Sequence, residues 1–353
     1  RLQEISELKE EARRVCSTAK DAARQINEQI LQTGGSFDVE VAEETVTELV
    51  RFMDKNERAF LYLSHEIASY DEYLYNHSVH VCVLGTAILK RLNKQFTREI
   101  HQLRWSRQSE RTAHEKPDNN RLFYSPGEIF DFSLACFLHD IGKLSVSKEV
   151  LDKPGALTNE EQEEMRRHSD EYGLELIRKN GLDKPIIENT VRYHHAALYA
   201  GEANCYPRID PEKIPPYTGV AKFADMYDAM TSRRCYKEAL NPGLVVAKIF
   251  RRYADKNQLL RYLVHSFVNV VGLYPTGSFL YLKDGRLVYV LDSAGPIVQP
   301  LTDENRPPLE QPPAPFNLRI DSPDHPPVDR DHPFETPADA LHLIPVDLRT
   351  RSD

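Results

Sequence analysis

The pair His139–Asp140, in LACFLHDIGKL, constrains this chain more than any other feature. It follows the apolar run Leu134–Leu138, so both groups emerge from the end of a buried helix. Gly142 permits a tight turn, and Lys143 follows. An Asp140 carboxylate buried there without a partner is very costly. A metal or another cation is the simplest partner, and a buried ion pair is the plainer alternative. Further groups of the same kind stand along the chain: His77 upstream, then His168, His194–His195 and Asp225 downstream. Imidazole nitrogen and carboxylate oxygen suit Fe, Mn, Zn or Ni better than Ca or Mg. A carboxylate beside a histidine can bridge two metals while the histidine binds one. Seven such groups suffice for two metals with positions left open for water and substrate, the arrangement used for in-line displacement at phosphorus.

Taken singly, these residues say less. A buried helix often carries one histidine with a satisfied hydrogen bond. Adjacent helical residues point about 100° apart, so His194 and His195 both ligate only if metals sit between helices or the helix ends there. Asp225 and Asp228 lie three apart on one helical face. One can ligate while the other accepts a hydrogen bond, or both can be structural. His65, His80, His101, His114 and His265 fall outside the pattern and read as ordinary structural histidines.

A formal charge of −9 argues against broad electrostatic binding to nucleic acid. Five scattered cysteines without CxxC spacing argue against a disulfide framework or a structural zinc site, and fit a reducing cytoplasm. No apolar run reaches the roughly 18 residues of a membrane span, and no signal peptide is visible. The first residue is Arg1, inside a helical pattern. The sequence therefore reads as a fragment whose upstream part, a sensor or an anchor, is absent.

Apolar spacing predicts a mainly α chain. Residues 1–38 read as an N-terminal charged helix and linker, broken at Gly34–Gly35. Residues 39–272 read as one helical domain, with helices at 39–70, 73–93, 127–142, 158–180, 216–232 and 243–272, and another opening at Asp183–Pro185 to carry the His doublet. Thr158 with Glu161 marks a helix start. Residues 104–121 are polar and aperiodic, an exposed insertion. The segment SFLYLKDGRLVYVLD alternates around Lys283–Asp284–Gly285, a hairpin signal. IVQPL adds a third strand, giving a small β appendage at 273–300. Residues 301–353 hold about half of the 23 prolines and read as an extended or disordered tail.

The order His77, His139–Asp140, His168, His194–His195, Asp225 resembles the HD-GYP family of the HD superfamily. HDIGKLSVSKEVLDKPGALTNEEQEEMRRH (139–168) carries the closest likeness, and YLYNHSVHVCVLG (73–85), IPPYTGVAKFADMYDAMTSRRCYKEAL (214–240) and GLYPTGSFLYLKDG (272–285) follow in order. The resemblance implies an HD-superfamily helical bundle and a phosphodiesterase that hydrolyses cyclic di-GMP to pGpG, and on to GMP, through a metal-bridging hydroxide. It implies two transition-metal ions, Fe or Mn, with Zn or Ni compatible. The implied ligands are His77, His139, Asp140, His168, His194, His195 and Asp225, with Asp140 bridging and acting in catalysis. Lys143 is implied as catalytic and substrate-binding, with Arg234, Lys237 and Tyr206 as further substrate contacts. Arginine and lysine suit that role as charge-assisted donors to phosphate. A diguanylate cyclase (GGDEF) domain is the protein partner this family suggests.

Three departures bear on the loops. The family's namesake segment reads HHAALYAGEANCYP (194–207), about three residues longer than usual, with Ala196 for the usual Glu and Cys205 for a Gly. A Cβ at Cys205 penalises positive φ, so the loop must differ if that glycine served its backbone. Tyr73 stands four residues before His77, where some members carry an acidic residue and a third metal, so two metals are favoured here. SDEYG after His168 is one residue longer than the usual spacing to glycine and shifts that helix. These departures leave two alternatives: a phosphodiesterase for another cyclic dinucleotide, or a catalytically weak cyclic-dinucleotide sensor.

Overall fold

The computed structural model describes residues 2–55, 63, 73–108, 124–232, 239–293, 295–303, 309, 313–318 and 328–329. Helix α1 (Leu2–Thr33) buries Ala12, Val15, Cys16, Ala19, Ala23, Ile26 and Ile30, a three-and-four spacing that makes one apolar stripe. Gly34 and Gly35, both at positive φ, end it. The stripe joins the same apolar core as the following helices, so this segment is a wall of the helical domain rather than a linker beside it. Helix α2 (Val39–Lys55) adds Val46, Leu49 and Phe52. The rest of the helix expected to residue 70 lies outside the described residues, apart from the buried Leu63.

Helix α3 (Tyr73–Gln108) is the axis of the bundle. It continues past residue 93 into the start of the expected insertion, and residues 109–123 lie outside the described set. Helix α4 (Pro126–Leu138) packs against α3. Ser125 and Glu128 form a capping box at its start, and every residue from Phe132 to Leu138 is buried. A helix that is apolar all round belongs in a core. Truncating one of its large side chains, such as Phe132→Ala, costs about 3–5 kcal/mol. The helix stops at Leu138, not at 142. A 3₁₀ turn follows at Ile141–Ser145.

Two short helices, α5 (Lys148–Leu151) and α6 (Asn159–Arg167), lead to the next histidine. The Thr158–Glu161 capping box starts α6 as the sequence suggests. The helical path continues to Lys179, as the sequence suggests, with its middle turn widened. His168–Gly173 is π-helical, and α7 (Leu174–Lys179) resumes the α form. Helix α8 (Pro185–Tyr193) ends at the His doublet. Helices α9 (Pro216–Thr231), α10 (Pro242–Tyr253) and α11 (Gln258–Val271) complete the bundle, with α9 and α11 lying against α3. No helix among the described residues is long and apolar enough to cross a membrane.

The appendage is an antiparallel sheet in the order β1 (Phe279–Tyr281), β2 (Leu287–Asp292), β3 (Ile297–Pro300), β4 (Phe316–Asn317). Gly285, at φ 93°, takes the hairpin turn, and the register pairs Phe279 with Tyr289. The Asn241 side-chain amide donates to the Phe279 carbonyl at 2.8 Å and ties the sheet to the start of α10. Parts of the proline-rich segment join this sheet. Strand β4 pairs with β3, and Val328 bridges to Leu282. Proline forbids a central strand position but not a short pairing at a free edge, so the segment adds to an existing sheet without forming its own. Among the described cysteines, Cys82, Cys136 and Cys205 are free thiols.

Candidate metal centre

The centre is built at the ends of helices, where side chains leave the bundle core. His139 caps α4 and its Nδ1 donates to the Cys136 carbonyl at 2.8 Å. His168 and His194 repeat this at the ends of α6 and α8. Their Nδ1 atoms donate to the carbonyls of Met165 at 2.6 Å and Val191 at 2.8 Å. A carbonyl only accepts, so each of these rings carries its hydrogen on Nδ1 when neutral and presents a lone pair at Nε2. The Nε2 atoms of His168 and His194 face each other at 3.4 Å. Nε2 of His139 is buried with no hydrogen-bond partner, and so is Oδ1 of Asp140. Lone pairs turned on one another in a dry interior need a cation between them. The donor set therefore fits metal ions.

Asp140 stands in the middle. Its Oδ1 lies 3.2 Å from Nε2 of His168 and 3.7 Å from Nε2 of His194. Its Oδ2 lies 3.4 Å from Nε2 of both His77 and His139. Two groups of ligand-type atoms result, Asp140 with His168, His194 and His195, and Asp140 with His77 and His139. Asp225, on α9, puts Oδ1 3.3 Å from Nε2 of His77 and Oδ2 3.7 Å from Nδ1 of His195. The structure thus brings together all seven residues singled out in the sequence.

Charge follows from this crowding. Burial pushes the Asp140 carboxyl up, but Lys143 and His139 more than offset it and hold it well below the usual carboxylate range. Asp225 is held low in the same way, against burial, by the bond from His77 and by the nearby His195. Burial, with His194 adding, pushes His195 well below the ordinary imidazole value, and burial lowers His168 despite Asp140. Neutral imidazoles and ionised carboxylates are the forms that bind metal. His77 is the exception. Burial lowers it, but Asp140, Asp225 and Asp228 together raise it well above its ordinary value, so a proton and a metal compete for its Nε2.

Lys143 lies on the 3₁₀ turn with its ammonium ion-paired to Oδ2 of Asp140. Gly142 beside it is required by close approach. A Cβ there would lie 1.9 Å from the His168 carbonyl oxygen and 2.5 Å from the Gly173 nitrogen. The extra residue after His168 is taken up as the π-helical turn His168–Gly173, a device that recurs at functional sites. Helix α8 ends at Tyr193 with His194 as its C-cap, so the His doublet stands at a helix end. Arg234 and Lys237 lie outside the described residues.

Two contributors escape the sequence reading. Asp228 accepts from Nδ1 of His77 at 2.5 Å and also from Nδ1 of His80, a histidine outside the sequence pattern. This is the carboxylate–histidine pairing that fixes the orientation of a metal-binding ring. A signal did exist. His77 and His80 are three apart on α3, as Asp225 and Asp228 are on α9, and α3 packs on α9.

The HD domain family model matches residues 74–230. A cyclic di-GMP phosphodiesterase of Pseudomonas aeruginosa is 30% identical over 287 residues, covering 80% of this chain and 59% of the relative. The chain carries an HD domain, and it resembles the HD-GYP proteins in the order of its His and Asp residues. The cyclic di-GMP phosphodiesterase response regulator RpfG of Xanthomonas campestris is 33% identical over 142 residues, 39% of this chain and 35% of that protein. A 3'3'-cGAMP-specific phosphodiesterase of Vibrio cholerae is 30% identical over 102 residues, 29% of this chain and 19% of that protein. The chain spans less than two thirds of the length of these curated relatives. Among solved structures, Bd1817, an HDG"Y"P protein from Bdellovibrio bacteriovorus, aligns with a TM-score of 0.47 at 13% identity, over 72% of this chain and 70% of that one.

The HD-GYP namesake segment keeps its tyrosine at the centre. The Tyr206 ring lies 4.7 Å from the His195 ring at 39°, and its backbone N–H donates to the His195 carbonyl at 3.1 Å. Arg166 lies over the Tyr206 ring at 5.7 Å. Burial, then the charges of Asp140 and Asp225, push the Tyr206 phenol far up, so it remains an O–H donor. Cys205 does not carry the strained backbone that the lost glycine suggested. Positive φ falls instead on Gly201, at 83°, and Asn204, at 61°. The thiol of Cys205 faces the ammonium of Lys222 at 3.3 Å.

Proposed function

We propose that this chain is a metal-dependent phosphodiesterase that hydrolyses cyclic di-GMP to pGpG, with His77, His139, Asp140, His168, His194, His195 and Asp225 holding two transition-metal ions, Fe or Mn. The observation that carries the reading is the buried Asp140 carboxylate set between two groups of inward-facing imidazole nitrogens. The family's relatives named as cyclic di-GMP phosphodiesterases support the substrate. Bound metal ions supply the Lewis acidity and the acidified water that phosphodiester hydrolysis at neutral pH needs.

The chain's own residues do the rest. Lys143, partly exposed beside Asp140, donates to a non-bridging phosphoryl oxygen and offsets the charge that builds there. The Tyr206 phenol, against the His195 ring, orients the substrate. Asp228 fixes the His77 ring from behind. Arg234 and Lys237 follow α9 in sequence, and we assign them to the nucleotide. Water adds to one phosphorus, one P–O3' bond breaks, and the leaving oxygen takes a proton.

The test is metal analysis of anaerobically purified protein, followed by turnover of cyclic di-GMP on the same sample. About two metals per chain with pGpG formed is the expected result. Metal-replete protein that binds cyclic di-GMP and leaves it intact over hours would mean a sensor, not an enzyme. The rebuilt 196–205 segment and the cGAMP-specific relative favour a second substrate reading, so 3'3'-cGAMP belongs in the same assay.

A further inference from the structure

The altered segment between the His doublet and Tyr206 is held by a lysine buried in α9. Lys222 is 5% exposed, one turn before Asp225. Its ammonium meets three acceptors: the Ala196 carbonyl at 2.7 Å, Glu202 Oε1 at 2.8 Å and Cys205 Sγ at 3.3 Å. Three N–H donors thus meet three partners. Ala196 directly follows the doublet, and Cys205 directly precedes Tyr206. One cation therefore grips both ends of the loop.

Glu202, at the middle of the loop, is equally committed. Its side chain is buried and accepts from Lys222, from the Tyr253 hydroxyl at 2.5 Å and from the Leu198 N–H at 2.7 Å, with Arg252 at 3.1 Å. Tyr253 belongs to α10. The loop is thereby tied to α9, which carries Asp225, and to the helix beyond it. A buried ion pair is weak support for stability in itself, because desolvation cancels most of its attraction. Its effect here is geometric, since neither partner can shift without stranding the other.

We propose that Lys222 and Glu202 form a latch that seats Tyr206 against His195 and so sets nucleotide affinity and choice. Both are positioning residues, remote from the reacting atoms. The proposal rests on the phosphodiesterase reading for its consequence in affinity, but not for the latch itself.

Lys222→Met, Lys222→Arg and Glu202→Gln separate the two. Amide hydrogen exchange over residues 196–207 reads the latch without any activity. In Lys222→Met it should speed up by about tenfold or more, because a buried charge loses its partner. Metal content should stay at the wild-type level. The KM for cyclic di-GMP should rise about tenfold, a loss of substrate binding, while kcat falls less. Lys222→Arg should recover part of both. If Lys222→Met does not fold, Glu202→Gln, which keeps the side-chain shape, carries the test. Unchanged exchange across the loop in the folded variants overturns the latch. So does metal loss equal to the loss of protection, which would make Lys222 a general support for α9. A wild-type protein that turns over no cyclic dinucleotide refutes the enzyme reading alone, and the exchange result still decides the latch.

Discussion

Asp228→Asn is the sharpest probe of how the metal centre is oriented. The carboxylate takes ring N–H donors on both oxygens, from His77 at 2.5 Å and from His80, and the Ser232 hydroxyl adds a third bond at 3.1 Å. Burial pushes the carboxyl up, yet His80 and His77 hold it well below the usual range, so it is an anion. Asparagine has the same shape but one acceptor oxygen and one NH₂ group. At one contact the NH₂ then meets a ring N–H. The conflict is relieved only if that ring moves its hydrogen to Nε2. On His77 this removes the lone pair turned toward Asp140 and Asp225. A hydrogen bond to a charged group is worth about 1.5–3 kcal/mol. Loss of such an orienting partner typically weakens metal binding about 10- to 100-fold, or roughly 1.4–2.7 kcal/mol. Chelator competition on anaerobic protein measures this directly. Urea unfolding of the metal-free variant separates the folding cost from the metal term. Asparagine can still turn its one oxygen to His77, so Asp228→Ala accompanies it; a metal Kd within about twofold of wild type in both variants, where about 10-fold or more is expected, would show that Asp228 does not orient His77.

Three further outcomes are expected. Gly142→Ala puts a Cβ into the backbone of His168 and Gly173, which cannot rotate away, and should cost about 3 kcal/mol or more; a denaturation midpoint near wild type would contradict that contact. Lys143→Met should keep its metal and lose about 100- to 1,000-fold in kcat, and near-normal turnover would leave Lys143 a structural partner of Asp140 only. In Glu202, burial raises the carboxyl but Lys222 and the bonds it accepts lower it further, so its folded value lies below its unfolded one. It therefore adds stability above an unfolded pKa of about 4.3, and that share is lost as pH falls through the folded value. The stability gap between wild type and Glu202→Gln should shrink as pH drops below about 4.3, and a gap independent of pH in urea titrations would count against the linkage.

The candidate ligand set was legible because it breaks an ordinary rule of burial. Histidine and aspartate at the end of an all-apolar helix must have a partner, and that much is read from Leu134–Asp140 without coordinates. The fold around it was legible where local signals decide, as with the Thr158 cap, the Gly285 turn and the apolar faces of α2 and α3. What stayed hidden depends on distant segments. The end of α8 at the doublet has no capping residue in Ala196–Ala197, so spacing alone ran the helix through. The residue surplus after His168 was countable, but its form as a π turn packed against Gly142 was not. Lys222 and Glu202 are the hardest case. A lysine in a helix and a glutamate in a loop are commonest on a solvated face, and nothing within 20 residues of sequence separation says that they meet. Metal chemistry selects rare residue types and shows in the sequence. The support that positions it uses common ones, so its disclosure needs the fold.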